Sequence, residues 1–252
     1  MKIAFEPIGK GIKVGQGSVM MSLARDWGAT APTDMSSNYL NAIPSIPFRA
    51  VNGLQQLLNP SRKIFVIGYN KCGTRSLHIL FKRNGIRSAH WGGHDPTRNL
   101  AAIMKRNIDQ QKSVLNRLES YTAFSDLSFY SDQTWVEGCR FYKQMFTEYP
   151  ESYFILNTRP IESWIQSRLK HGDFRQRATL SRGCEVGDLP AIWRREFIDH
   201  HNEVLSFFQH KPDSLCVFDI EEDRIGKVID FLWPVFWISD RYWEHRGKTD
   251  DS

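Results

Sequence analysis

Lys63-Ile64-Phe65-Val66-Ile67-Gly68-Tyr69-Asn70-Lys71-Cys72-Gly73-Thr74-Arg75-Ser76-Leu77 reads as strand, turn and helix start in one continuous run. Ile64 to Ile67 is short, apolar and rich in β-branched residues, the pattern of a strand buried on both faces. GYNKCG is a glycine turn. An amphipathic helix follows from Thr74 to about Asn84 and is ended by Gly85. Such a passage points unpaired backbone N–H groups, and the positive end of a helix dipole, at one spot. Lys71 adds a formal charge there, Thr74 and Ser76 add hydroxyls, and Gly73 lets the backbone approach an anion with no Cβ in the way. A group with several anionic oxygens fits this turn; the plainer alternative is an ordinary βα turn of a parallel sheet.

The chain differs on the two sides of this run. Residues 6–60 mix Gly, Ser, Pro, Asn and Thr with short apolar pieces and hold no sustained period, apart from a candidate helix at Phe48 to Leu58. An irregular N-terminal extension over 1–60 is expected, followed by one α/β domain over 61–252. Past the glycine turn, strands are expected at Ser88–Trp91, Phe124–Leu127, Tyr153–Leu156 and Leu215–Phe218. Helices are expected from Pro96 towards Tyr121 with Asp95 as N-cap, and at Trp135–Tyr149 ahead of Pro150. Others follow Pro160 (IESWIQSRL) and Pro190, the latter with Trp193, Phe197, Val204 and Phe208 on one face, and a last one spans Arg224–Leu232. Strands alternating with long helices predict a three-layer α/β fold with a central, mostly parallel sheet and a P-loop-like nucleotide site.

The 252 residues are 41% hydrophobic and 24% charged, which suits a globular chain and excludes a disordered one. Lys+Arg (33) exceed Asp+Glu (28) for a net charge of +5, without a dense basic block. That suits an anionic small ligand or a polyanionic acceptor and does not by itself argue for nucleic acid, which is not expected as a partner. Cys72, Cys139, Cys184 and Cys216 lie far apart, so neither a disulfide scaffold nor a cysteine-rich zinc site is expected. No stretch reaches the roughly 20 apolar residues of a membrane span, and MKIAFEPIGKG lacks a secretory apolar core. A soluble, cytoplasmic chain is expected.

The turn is not a Walker A loop, in which Lys follows the second glycine and Ser/Thr holds Mg²⁺. Here Thr74 and Arg75 take those places, and the lysine precedes Gly73. The run Lys71-Cys72-Gly73-Thr74-Arg75-Ser76-Leu77 instead resembles the 5′-phosphosulfate loop of PAPS-dependent sulfotransferases, especially the K-x-G-T-R-A-L form of heparan sulfate sulfotransferases. That family has a second element, a strand ending in Arg and a helix with Ser eight positions later. Arg159 and Ser167 match it in Asn157-Thr158-Arg159-Pro160-Ile161-Glu162-Ser163-Trp164-Ile165-Gln166-Ser167-Arg168. The resemblance covers residues 63–235. It implies sulfuryl transfer from PAPS (3′-phosphoadenosine 5′-phosphosulfate) to a hydroxyl or amine of a small-molecule, lipid or glycan acceptor, releasing PAP, with no metal. It further implies that Lys71, Cys72, Gly73, Thr74, Arg75, Ser76, Arg159 and Ser167 bind the donor, and that Lys71 stabilises charge on the bridging oxygen.

A general base must take the acceptor's proton. The resemblance implies a His after the second strand and an Asp in a later segment, which His90 and Asp126 supply; His94 and Asp95 compete with them. His200-His201 lies near Glu196 and Glu203, but adjacent helix positions face different ways, so a solvated cluster is expected rather than a metal site. Arg168, Lys170, Arg175, Arg177 and Arg182, with Gly172, Gly183 and Gly187, read either as a mobile basic loop beside the acceptor cleft or as a plain solvated basic loop. The aromatic end (Trp233, Phe236, Trp237, Tyr242, Trp243) either lines an acceptor pocket or packs on the N-terminal extension. Two rival functions remain open: a Mg-ATP kinase or NTPase, with Leu215 to Asp219 imitating a Walker B strand, and a non-catalytic PAP-binding protein.

Overall fold

The computed structural model describes residues 47–244. Most of the expected irregular extension, residues 1–46, lies outside them. The helix expected at its end forms as α1 (Phe48–Leu58), and its buried Asn52 and Gln56 tie it to the body. Asn52 Nδ2 donates to the Asn84 and Trp237 carbonyls (2.8 Å each), while Gln56 Oε1 accepts from the Arg87 N–H (2.7 Å). Trp237 sets its ring against Phe48. This part of the aromatic C-terminal segment therefore packs on α1.

The main sheet has five strands: β1 (Ile64–Val66), β2 (Ser88–His90), β3 (Ala123–Ser125), β6 (Tyr153–Thr158) and β7 (Leu215–Asp219). They lie in the order β2-β3-β1-β6-β7, and every neighbouring pair is parallel. Alternation along β1 divides the core. Ile64 and Val66 face a layer with Leu77, Leu80, Phe81, Phe218 and Val228; Phe65 and Ile67 face one with Met104, Trp164, Trp193 and Phe208. Helices accordingly cover both faces, as the buried apolar strands require. Helix α2 (Thr74–Arg83) lies against the first layer, α7 (Leu189–Phe208) and α5 (Ile161–Leu169) against the second, and α8 (Gly226–Leu232) packs beside β7.

Four expectations need correction. Helix α3 spans only Leu100–Asp109 and is capped by Asn99, whose side chain accepts from the Ala102 N–H (3.1 Å). Asp95 instead accepts from the N–H and hydroxyl of Thr97 in a local turn, and Gln111, at φ 55°, stops the helix well before Tyr121. Trp135 does not begin a helix. Strands β4 (Ser128–Tyr130) and β5 (Trp135–Glu137) form an antiparallel hairpin closed by Ser131, whose hydroxyl accepts from the Thr134 N–H, and helix α4 (Tyr142–Glu148) starts only afterwards. The expected basic loop is largely helical, α6 (Gly172–Arg182), which buries Phe174 and Ala178 one turn apart and ends at Gly183 in the left-handed region. Finally, His200 is buried on the apolar face of α7 with Nε2 2.7 Å from the Ile67 carbonyl, so the His pair is no solvated cluster.

Candidate active site

The chain leaves β1 towards β2 on one side and later reaches β6 and β7 on the other. The carboxyl edge beside β1 and β6 is therefore a topological switch point, where open α/β sheets bind ligands. The loop after β1 (residues 68–73) is held from the β6 side. Asn157, at 0% exposure, accepts from the Gly68 N–H through Oδ1 and donates from Nδ2 to the Cys72 carbonyl, both at 2.8 Å. Trp164 Nε1 donates to the Asn70 carbonyl (2.9 Å), and Arg159 Nη1 to the Lys71 carbonyl (3.2 Å). With these carbonyls held from behind, the loop can turn its N–H groups outward.

Two glycines make the geometry possible. A Cβ at Gly68 would sit 1.8 Å from the Asn157 carbonyl oxygen, and one at Gly73, already at φ 76°, 1.8 Å from Ile220 Cδ1. Gly73 is also the N-cap of α2 and, having no side chain, supplies no acceptor to the helix's first turn. Thr74 and Ser76 are buried there and Arg75 is exposed. The Cys72 side chain faces the core, and burial pushes its thiol up to about 12, so this residue offers a ligand only its backbone.

Lys71 stands beside this helix start in the left-handed region (φ 66°), which costs a residue with a side chain about 1–2 kcal/mol. Trp91 (φ 54°) and Asp126 (φ 53°) share that conformation directly after β2 and β3. Three such residues thus follow three adjacent strands at one sheet edge, the kind of place where strain collects at functional sites. Burial lowers the Lys71 ammonium from its ordinary value; Asp126 pulls it up and Arg168 pushes it down.

His90 and Asp126 come together across the β2–β3 register. His90 Nε2 lies 3.9 Å from Asp126 Oδ2, and Nδ1 lies 3.0 Å from Ser125 Oγ. Asp126 Oδ1 accepts from the Ser128 hydroxyl (2.6 Å). Burial lowers the His90 pKa, with Asp126 opposing and Arg75 assisting the shift. The imidazole of His78, from α2, stacks on His90 at 5.1 Å. His94 instead pairs with Asp173 of α6 (3.5 Å), and Asp95 is exposed in its own turn.

Arg159 leaves the end of β6. Besides donating to the Lys71 carbonyl, it pairs through Nη2 with Glu221, while its buried Nε has no partner among the described residues. Ser167 is half-buried in the last turn of α5. Behind the loop lies a network that sequence reasoning missed. Arg168 is wholly buried: Nε donates to Asn70 Oδ1 and Nη2 to Glu137 Oε1, each at 3.0 Å. Its guanidinium lies over Trp164 (4.2 Å), Phe174 (5.0 Å), Tyr69 (5.1 Å) and Trp193 (5.3 Å), and Tyr130 also donates to Glu137 (2.9 Å). Its expected place in an exposed basic loop is corrected by this site: a buried cation needs a carboxylate, and Glu137 of β5 provides it.

Residues 63–215, more than half of the chain, match a family model described as a sulfotransferase domain. The chain belongs to the sulfotransferase-domain family. No curated protein matches it. The matched stretch runs from the residue before β1 to the first residue of β7, so it contains the loop, His90, Asp126, Arg159 and Ser167 of this sulfotransferase domain. A sulfotransferase-type function follows from the family. Among the described residues no three His, Cys, Asp or Glu side chains group as metal ligands, and no helix is long and apolar enough to cross a membrane.

Proposed function

We propose that this sulfotransferase-domain protein moves a sulfuryl group from PAPS to a hydroxyl or amine of a small-molecule, lipid or glycan acceptor, releasing PAP. The observation that carries the reading is the meeting of two loops: the turn after β1 and the end of β6 join through Arg159 Nη1 and the Lys71 carbonyl at 3.2 Å. One adenosine nucleotide with anionic groups at both ends would find cationic partners for each. The residues fit such a donor. The N-cap of α2, Gly73, has no side chain to occupy the helix start, and the buried Arg159 Nε has no partner among the described residues.

When bound, PAPS supplies an activated sulfuryl group whose leaving group is PAP. The chain's part is positioning and charge stabilisation. Lys71 and the backbone N–H groups of Gly73 to Ser76 take the 5′ end, with Lys71 placed to offset charge growing on the bridging oxygen. A guanidinium suits bidentate phosphate binding, which assigns the 3′-phosphate to Arg159, with Ser167 adding a hydroxyl. His90 accepts the acceptor's proton. Its lowered pKa keeps the imidazole neutral near pH 7, Ser125 orients Nδ1, and Asp126 stabilises the imidazolium that forms. The rival Mg-ATP reading loses its support in Asp219: β7 is separated from β1 by β6, and Asp219 Oδ1 already accepts from the N–H groups of Glu221 (2.9 Å) and Glu222 (3.3 Å).

Incubation of the full chain with labelled PAPS and a broad acceptor panel tests the reading. Label should pass to an acceptor, and Lys71→Ala should lower turnover about 100-fold or more while PAP affinity changes little. Arg159→Ala should mainly weaken PAP binding. The reverse split would mean that the two ends of the nucleotide are misassigned. Firm PAP binding without transfer, indifferent to His90→Ala and Asp126→Ala, would instead favour a non-catalytic PAP-binding protein.

A further inference from the structure

Arg159 is already engaged by an anion of the protein itself. Its Nη2 pairs with Glu221, while Nη1 is committed to the Lys71 carbonyl. Glu221 comes from the turn after β7, beyond the stretch that matches the family model. The backbone of that turn is fixed. Asp219 Oδ1 accepts from the N–H groups of Glu221 and Glu222, and the Asp219 N–H donates to Asp223 Oδ2 (2.8 Å), itself bound by Lys227 (2.8 Å). The Glu221 side chain is not fixed in this way. It is 27% exposed, against 18% for the Arg159 side chain, so water lies within its reach once the guanidinium lets it go.

We propose that Glu221 is a competing anion that sets the affinity of the nucleotide site, exchanged at Arg159 for the donor's 3′-phosphate and returning to speed PAP release. The proposal rests on the assignment of that phosphate to Arg159. Two negative groups on one guanidinium repel each other at this range, and a phosphate carries more charge than a carboxylate, so the phosphate displaces the side chain into solvent. The broken pair is partly exposed, and its loss is modest. Each binding event that seats a 3′-phosphate bears that loss, whereas a nucleotide without one leaves the pair intact.

The test is titration of PAP and of adenosine 5′-phosphate into the full chain and its Glu221→Gln and Arg159→Ala variants, with stopped-flow release of PAP and a melting curve for each. Glu221→Gln should bind PAP about fivefold more tightly, mostly through slower release, with adenosine 5′-phosphate unchanged. Weaker or unchanged PAP binding by Glu221→Gln would overturn the proposal, since Glu221 would then hold Arg159 in position or stand aside from the phosphate. Should Arg159→Ala leave PAP affinity untouched, the underlying assignment fails instead. Arg159→Ala weakening PAP while Glu221→Gln does nothing sinks the exchange alone.

Discussion

Replacing Asn157 with alanine removes both ends of the bracket that shapes the loop after β1. The side chain is wholly buried and satisfies the Gly68 N–H and the Cys72 carbonyl, each at 2.8 Å. Alanine reaches neither. Each buried backbone group left without a partner costs about 1–3 kcal/mol, and a total of about 3 kcal/mol is expected because the loop can shift to recover part of it. For a domain of this size that corresponds to a fall in Tm of roughly 6–12 °C. Urea unfolding followed by fluorescence gives the free energy from the midpoint at unchanged slope, and titration with PAP reports on the site. Nucleotide affinity should fall alongside stability, because the N–H groups at the start of α2 lose their arrangement. A loss below about 1 kcal/mol with unaltered PAP binding would refute the reasoning, showing that the loop keeps its shape without Asn157.

Arg168→Met should destabilise by about 3–5 kcal/mol by stranding the Glu137 carboxylate, and adding Glu137→Gln should recover part of it; urea unfolding of the single and double variants checks this, and purely additive losses would contradict it. Burial holds His200 at about 4 in the fold against 6.5 when unfolded. The unfolded chain therefore takes up a proton first as pH falls. Stability from this group is complete above pH 6.5 and drains away towards pH 4, by up to about 3 kcal/mol. His200→Gln should flatten that part of the stability–pH curve, and an unchanged slope would assign it to other groups.

Much of the fold was legible because its signals are local. The apolar run Ile64 to Ile67 and the glycine turn mark β1 and α2, and the spacing of Trp193, Phe197, Val204 and Phe208 marks α7, whose vacant place on that face belongs to His200. Phe174 and Ala178 ahead of Gly183 carried the same sort of signal for α6, but the arginines between them drew the reading towards a loop. The β4–β5 hairpin was missed because Trp135 to Tyr149 holds a strand and a helix end to end, and only the cross-strand pairing of Tyr130 with Trp135 separates them. At the site, Lys71 and Gly73 stood out within the glycine turn, and Arg159 and Ser167 through the resemblance to the sulfotransferase family. Asn157, Arg168 and Glu137 did not, because their partners are remote in sequence: Gly68 and Cys72 for the first, Asn70 and Glu137 for the second. Pairing at such separations is a property of the assembled sheet, and nothing in the local pattern announces it.

The most direct measurement is calorimetric titration of the full chain with PAP and with ATP in EDTA, repeated with excess Mg²⁺. A site that grips a 5′ group at Lys71 and a 3′-phosphate at Arg159 predicts PAP binding in the micromolar range or tighter (about −8 kcal/mol or better), indifferent to Mg²⁺, with ATP silent. ATP binding that requires Mg²⁺, with PAP silent, would contradict it.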